Sequence, residues 1–299
     1  MKIFHTTLIY IIIYNFTVVY DCSQRKITFN GGIAKLKSYL YRFFIELTNG
    51  KWSSYLIMKF AHSKASSFII PSFAKVYKIN INEMEKDLTS YNNLHEFFIR
   101  KLKKESRNNA FRQMEVISPV DAIIEDIGII AGNKTIHVKG KVYSISEMLG
   151  NKEIVEKYTG GTFIIFYLSP SHYHRIHSPV SGHVTKQWTL GKKSYPVNKW
   201  GLKFGKSTLA KNYRTITEVK TQDNQHIAVV KVGAMFINSI VLSHQEEELK
   251  KGEEMAYFSF GSTVILLFEK ESFRSKDFLS TPYPVKIGEV IGELSKKSE

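Results

Sequence analysis

Cysteine is almost missing from this chain. Cys22 is the only one in 299 residues, so no intrachain disulfide and no cysteine-based metal cluster can form. Acidic side chains are also scarce. There are 27 Asp plus Glu against 42 Lys plus Arg, and the formal charge of +15 favours a polyanion or an anionic membrane surface. Arginine-rich tracts and zinc-finger spacings are absent, which turns that charge away from nucleic acid. No apolar run reaches the ~20 residues a spanning helix needs. Internal repeats and low-complexity segments are lacking too, and 43% hydrophobic content excludes disorder of the whole chain.

The longest apolar run is Leu8 to Val19, interrupted only by Asn15 and Thr17 and preceded by Lys2. It reads as a secretory signal peptide over residues 1–22, with an uncleaved membrane anchor as the alternative, because YDCSQ after the run lacks a clean pair of small residues for cleavage. Residues 23–115 read as helical. Leu36, Leu40, Phe43 and Phe44 share one helical face, Ser54 to Ile79 continues with apolar clusters separated by single lysines, and Asn92 to Leu102 forms a further short amphipathic helix. Such basic, aromatic-rich helices suit a bilayer interface with lysines snorkelling to headgroups, and equally suit packing on the body of the protein.

From about residue 116 the texture changes. Short β-branched and aromatic runs recur, among them AIIEDIGII, GTFIIFYL, TITEVK, HIAVVKV and TVILLFEK, separated by Gly, Pro, Asn or Lys. Helical periodicity is confined there to a turn at Ser146 to Leu149. The expected fold is therefore α+β, a helical N-terminal region followed by a mainly antiparallel β-rich catalytic domain over 116–299.

Three clusters could carry chemistry. The segment from Tyr167 to Val184 holds His172, His174, His177 and His183, a density that raises the question of a metal. No H-E-x-x-H, cysteine or neighbouring carboxylate accompanies them, so acid/base groups at a strand edge are the better reading, with His172 and His183 as ordinary histidines and no metal expected. A histidine-dependent metalloenzyme is the competing class. The second cluster is Ile117 to Gly128, where Asp121 follows a proline turn. It either caps the turn or orients an imidazole. The third is Gly261-Ser262-Thr263 between two strand-like runs. It lacks the second glycine of a hydrolase elbow, so it reads either as a turn or bulge at Gly261 or as a serine placed to attack its own preceding carbonyl.

Taken together in this order, the clusters resemble the phosphatidylserine decarboxylases. Ser118-Pro119-Val120-Asp121-Ala122 is similar to the family's S-P-x-D-G, Leu168 to Pro179 to its L-x-P-x-D-Y-H-R-x-H-x-P, and Gly261 to Thr263 to its G-S-T cleavage site. Weaker likeness lies at Phe97 to Lys103, Val138 to Ile145, Val232 to Ile240 and Lys251 to Phe258. Ala122 and Asn238 stand where glycines are usual, His172 where Asp is usual, and Asn212-Tyr213-Arg214 where Asn-Glu-Arg is typical.

The resemblance implies a proenzyme in which Asp121, His177 and Ser262 form a self-processing triad. It implies cleavage of the Gly261–Ser262 bond into a β chain of residues 1–261 and an α chain of residues 262–299, which stay together as a heterodimer. Ser262 becomes a pyruvoyl group that forms a Schiff base with phosphatidylserine, with no external cofactor, and His174 is the first candidate for proton transfer during decarboxylation. Phosphatidylserine in an anionic membrane is the implied partner, nucleic acid is not, and homo-oligomerisation stays open. The membrane is expected to be one of the secretory pathway, with the mitochondrial inner membrane as the alternative. A non-catalytic relative of the family is a third class, against which the joint presence of Asp121, His177 and Ser262 speaks.

Overall fold

The computed structural model describes residues 51–107, 111–138, 140–195, 197, 207–234, 239–259, 261–277 and 281–295. The signal or anchor segment at 1–22 and the helix expected at Leu36 to Phe44 lie outside the described residues.

The described N-terminal region is a small helical layer with its own core. It comprises α1 (Lys51–Ala61), a 3-10 turn at Lys64–Ile69, α2 (Ile70–Val76) and α3 (Leu94–Phe98). Pro71 falls in the first turn of α2, where its missing N–H costs no helical hydrogen bond. Ile70, Phe73 and Tyr77 pack against Tyr91, Leu94, Phe97 and Phe98, and the buried Ser66 hydroxyl accepts from the Leu94 amide at 2.8 Å. Asn93 caps α3 by accepting from the Glu96 amide at 2.8 Å. The sequence pattern extends this helix to Leu102, but α3 stops at Phe98. The chain beyond it is claimed by a different pairing, in which Glu85 donates to Lys101, Lys103 donates to Glu83, and Met84 bridges Leu102. None of the described helices is long and apolar enough to cross a membrane.

The rest is built on strands. The first are β1 (Glu115–Ile117), β2 (Ala122–Ile129), β3 (Thr135–Val138), β4 (Lys141–Ser144) and β5 (Thr162–Leu168). They are followed by β6 (Arg175–His177), β7 (Gly182–Leu190), β8 (Arg214–Lys220), β9 (His226–Gly233), β10 (Ile240–Leu242) and β11 (Glu248–Leu249). The last are β12 (Glu254–Phe258), β13 (Ser262–Phe268), β14 (Phe273–Ser275), β15 (Tyr283–Val285) and β16 (Val290–Leu294). Eight of them form one sheet in the order β11-β7-β8-β9-β13-β5-β2-β15, and every pairing in it is antiparallel.

β13 lies in the interior of this sheet, between β9 and β5, and all seven of its residues are buried. That explains its unbroken apolar run from Val264 to Phe268, because a strand covered on both faces loses the usual alternation. One face carries Val264, Leu266 and Phe268 and is covered by two three-stranded sheets, β1-β16-β14 and β10-β12-β6. The other carries Ile265 and Leu267 and is covered by the β3–β4 hairpin, α4 (Ile145–Leu149), α5 (Lys152–Tyr158) and α6 (Thr208–Lys211). The expected α+β architecture is what the structure contains, and α4 is the helical turn the sequence marks at Ser146 to Leu149. The neighbouring α5 escaped the sequence pattern because its buried Ile154, Val155 and Tyr158 occupy barely two turns.

Candidate active site

Ser262 is the first residue of β13 and is fully buried, opposite Leu168 of β5 and Gly233 of β9. The Ala234 amide donates to the Gly261 carbonyl at 3.1 Å. That bond makes Ser262 and Gly233 a non-hydrogen-bonded antiparallel pair, the kind whose Cα atoms approach to ~4.5 Å. Among the described residues the Ser262 hydroxyl has no hydrogen-bond partner. Nothing in the backbone at Gly261 demands glycine. Its φ is not positive, and a Cβ there would meet nothing within 4 Å. What glycine leaves is open space on its own α-carbon, next to a carbonyl whose oxygen already accepts from an amide.

The histidine segment joins β5 to β6, and its four imidazoles have four different environments. His174 is fully buried, donates from Nδ1 to the His172 carbonyl at 2.9 Å, and keeps Nε2 without a partner. Its pKa lies well below the ordinary imidazole value through burial, reinforced by the charge of Arg100. It is therefore a neutral ring with a free basic nitrogen. His177 donates from Nδ1 to the Gly252 carbonyl at 2.7 Å, and its Nε2 lies 3.3 Å from the Tyr173 hydroxyl. Burial holds its pKa down as well. His172 accepts the Ser169 amide on Nδ1 and is pushed to about 4 by burial, while His183 is exposed on β7. Among the described residues, no group of His, Cys, Asp or Glu is arranged to hold a metal ion.

Strand register orders the two candidate bases. His177 stands opposite Glu254, whereas the His174 carbonyl accepts from Phe258, at the end of β12 that leads into Gly261 and Ser262. The helical layer closes over His174. The Phe98 ring lies on its imidazole with centroids 3.9 Å apart, and the buried Arg100 guanidinium donates at 3.0 Å to the carbonyls of both Ser171 and His172.

Asp121 sits just before β2. One oxygen accepts from Arg107 at 2.6 Å and the other from the Ile287 amide at 2.8 Å. The hydrogen bonds expected of an Asp121–His177–Ser262 triad are thus absent here. Gly252 holds the nitrogen of His177 that a triad acid would hold, and Asp121 acts on His177 only as a favourable charge at longer range.

A family model described as phosphatidylserine decarboxylase matches residues 94–293. The chain belongs to the phosphatidylserine decarboxylase family. It is 60% identical over 256 residues to the phosphatidylserine decarboxylase proenzyme of a Geobacillus species, covering 86% of this chain and 98% of that protein. It is 58% identical over 261 residues to the protein of the same description from Anoxybacillus flavithermus, covering 87% and 98%, and 55% identical over 252 residues to that of Bacillus thuringiensis, covering 84% and 96%.

Several residues of the family-like motifs make hydrogen bonds that hold the strands around Ser262. Asn212, first of the Asn-Tyr-Arg triplet, donates from its side chain to the carbonyls of Tyr195 at 2.6 Å and Gly233 at 2.9 Å, so it fixes the strand partner of Ser262. Arg214 donates to the carbonyls of Glu147, Met148 and Asn212. Between them Tyr213, where the family has a carboxylate, packs partly buried against the core of the Ser262 face. Asn238 lies outside the described residues. Ala122 is buried in the same core.

Sequence reasoning missed Arg100, Arg107, Ala234 and Gly252. Arg100 lies within the family-like Phe97 to Lys103 stretch and could have been singled out. Ala234 and Gly252 act through backbone groups, for which a side-chain pattern carries no signal.

Proposed function

We propose that this chain is a proenzyme that cuts itself between Gly261 and Ser262 and, with a pyruvoyl group made from Ser262, decarboxylates phosphatidylserine to phosphatidylethanolamine. The observation that carries this reading is the buried, unpartnered Ser262 hydroxyl directly after a carbonyl already polarised by the Ala234 amide, at the position of the family's G-S-T.

In self-cleavage the Ser262 oxygen bonds to the Gly261 carbonyl carbon, and the bond to the Ser262 nitrogen breaks. The hydroxyl proton passes to His177 and ends on that nitrogen. Negative charge gathering on the Gly261 oxygen meets the Ala234 N–H, already in place. The α-proton of residue 262 then leaves to water as Gly261 departs as a carboxylate, and hydrolysis of the resulting enamine with loss of ammonia leaves the pyruvoyl group. The site suits such a group. The Ser239 hydroxyl is a buried donor without a partner, and the Ala234 amide is released once Gly261 departs. When present, the group supplies an electron sink for the carbanion left as carbon dioxide leaves.

The rest is the chain's own work. His174, neutral and with a free Nε2, takes a proton from the substrate ammonium and returns it to carbon. Residues 262–299 remain with the rest after cleavage because β13 is hydrogen-bonded on both sides and β16 is held between β1 and β14. The helical layer meets the membrane. Lys59, Lys64, Lys75 and Lys78 are exposed beside the exposed apolar Tyr55, Leu56, Phe68 and Val76, with no acidic residue between Lys51 and Asn82.

Release of carbon dioxide from vesicles containing carboxyl-labelled phosphatidylserine tests the activity. The wild-type chain is expected to release label and Ser262→Ala is not. Equal release by both would overturn the reading.

A further inference from the structure

Gly233 faces Ser262 across the β9–β13 pair, and its missing side chain leaves a gap beside the serine that a second hydroxyl fills. A Cβ built on Gly233 would lie 2.4 Å from the Ser239 oxygen. Ser239 is 1% exposed and its hydroxyl has no partner, the same condition as that of Ser262. Directly opposed Cβ positions in such a pair are ~4.5–5.5 Å apart, so Ser239 presents its hydroxyl to the space that the Ser262 side chain enters. Its backbone is fixed there. The Ser239 carbonyl accepts from the Ser259 amide at 2.7 Å, three residues before Ser262, and Ile240 follows in β10 against Phe258. Two buried hydroxyls, each lacking a partner, cost more apart than hydrogen-bonded to each other or to a shared charge.

We propose that Ser239 is a positioning residue of the self-cleavage reaction. In the reacting conformation, reached by rotation of the two side chains, its hydroxyl donates to the Ser262 oxygen and selects the rotamer in which that oxygen faces the Gly261 carbonyl carbon. The inference rests on the cleavage reading above. In the step it serves, a bond forms between the Ser262 oxygen and the Gly261 carbon, the carbon–nitrogen bond breaks, and the proton that left the hydroxyl ends on the freed nitrogen. Ser239 is unchanged at the end. Gly233 belongs to the same device, because any side chain there would displace the Ser239 hydroxyl.

The test follows the appearance of the 262–299 fragment over time by mass spectrometry after synthesis of the full chain, so it reads cleavage and not decarboxylation. Loss of one orienting hydrogen bond predicts that Ser239→Ala cleaves about tenfold more slowly, and that Ser239→Thr, which keeps a hydroxyl, recovers most of the rate. Wild-type cleavage by a folded Ser239→Ala overturns the proposal. A slow Ser239→Ala that Ser239→Thr does not rescue also overturns it, since the residue is then only packing. If the alanine variant melts far below the parent, Ser239→Cys decides, because it keeps the volume with a weak donor. Folded and slow supports the proposal, while folded and fast overturns it. Absence of cleavage in the wild-type chain would instead refute the underlying reading, which separates the two failures.

Discussion

His177 gives its Nδ1 hydrogen to the carbonyl of Gly252 at 2.7 Å, in the place where a triad would put a carboxylate. A carbonyl oxygen accepts but does not donate, so the bond fixes the tautomer and leaves the basic lone pair on Nε2. His174 reaches the same state through the His172 carbonyl. Both rings are held neutral by burial, and both are bases at neutral pH. Their Nε2 atoms differ. His177 meets the Tyr173 hydroxyl, which must yield to Ser262 for cleavage, whereas His174 is free.

The two histidines are expected to separate in function. His177→Ala should leave the chain uncut, and His174→Ala should cut but fail to turn over, with kcat down at least a hundredfold. Because the folded pKa of each lies below the ordinary value, the reactive neutral form persists as pH falls, so the cleavage rate should stay flat from about pH 8 to about 6.5. Time courses of cleavage and carbon dioxide release across that range check this. A His174→Ala chain that stays uncut beside a His177→Ala chain that cuts normally would reverse the assignment.

Asp121 and Arg107 form a largely buried ion pair, with side chains 13% and 10% exposed. Removing Asp121 leaves Arg107 with Glu83 at 3.0 Å and the Ser106 carbonyl, and removing Arg107 leaves Asp121 with only the Ile287 amide among the described residues, so Asp121→Ala should cost about 1–2 kcal/mol. The double variant should cost clearly less than the two single variants added together. Urea unfolding of the full cycle measures the coupling, and strict additivity would show that the pair contributes nothing.

Lys231 lies fully buried on β9 with only Thr217 and the Val229 carbonyl as partners among the described residues, and burial lowers its pKa to about 7. The unfolded chain holds this proton up to about pH 10.4, so the folded state loses stability as pH falls from there toward 7. Lys231→Met should raise the melting temperature, and by more at pH 7 than at pH 10. A lower melting temperature for the variant at both pH values would contradict this.

Acid should weaken the fold through two partly buried, desolvated histidines. His95 stacks on His62 with centroids 4.0 Å apart, and burial, with the His62 charge adding to it, brings it to about 4; His172 lies at about 4 through burial. Their unfolded counterparts protonate near pH 6.5, so stability should drop steadily from there to about pH 4. His95→Gln should flatten that decline in a melting series. An unchanged slope would remove His95 from the account.

The sheet core was legible because doubly covered strands are written as apolar runs, as in Phe163 to Leu168 of β5 and Val264 to Phe268 of β13, and in β9 with the single interruption of Lys231. The same reading overshot α3. A helical pattern continues through Leu102, and only the distant Glu83 to Glu85 segment, which pairs with that stretch, cuts it short. At the site, the motif residues were visible as residue types in a family order, but their partners were not. Arg107 reaches Asp121 from outside any motif, and the groups that hold His177 and polarise Gly261 are a carbonyl and an amide. Backbone groups are common to every residue, so only the fold shows which of them matter.

The intact mass of the purified chain tests the central claim most directly. Self-cleavage predicts a fragment of about 4 kDa spanning residues 262–299, scaled from ~0.11 kDa per residue, with an N-terminus blocked by a carbonyl-bearing group in place of the Ser262 amine. A single uncut species at 34.4 kDa would contradict it.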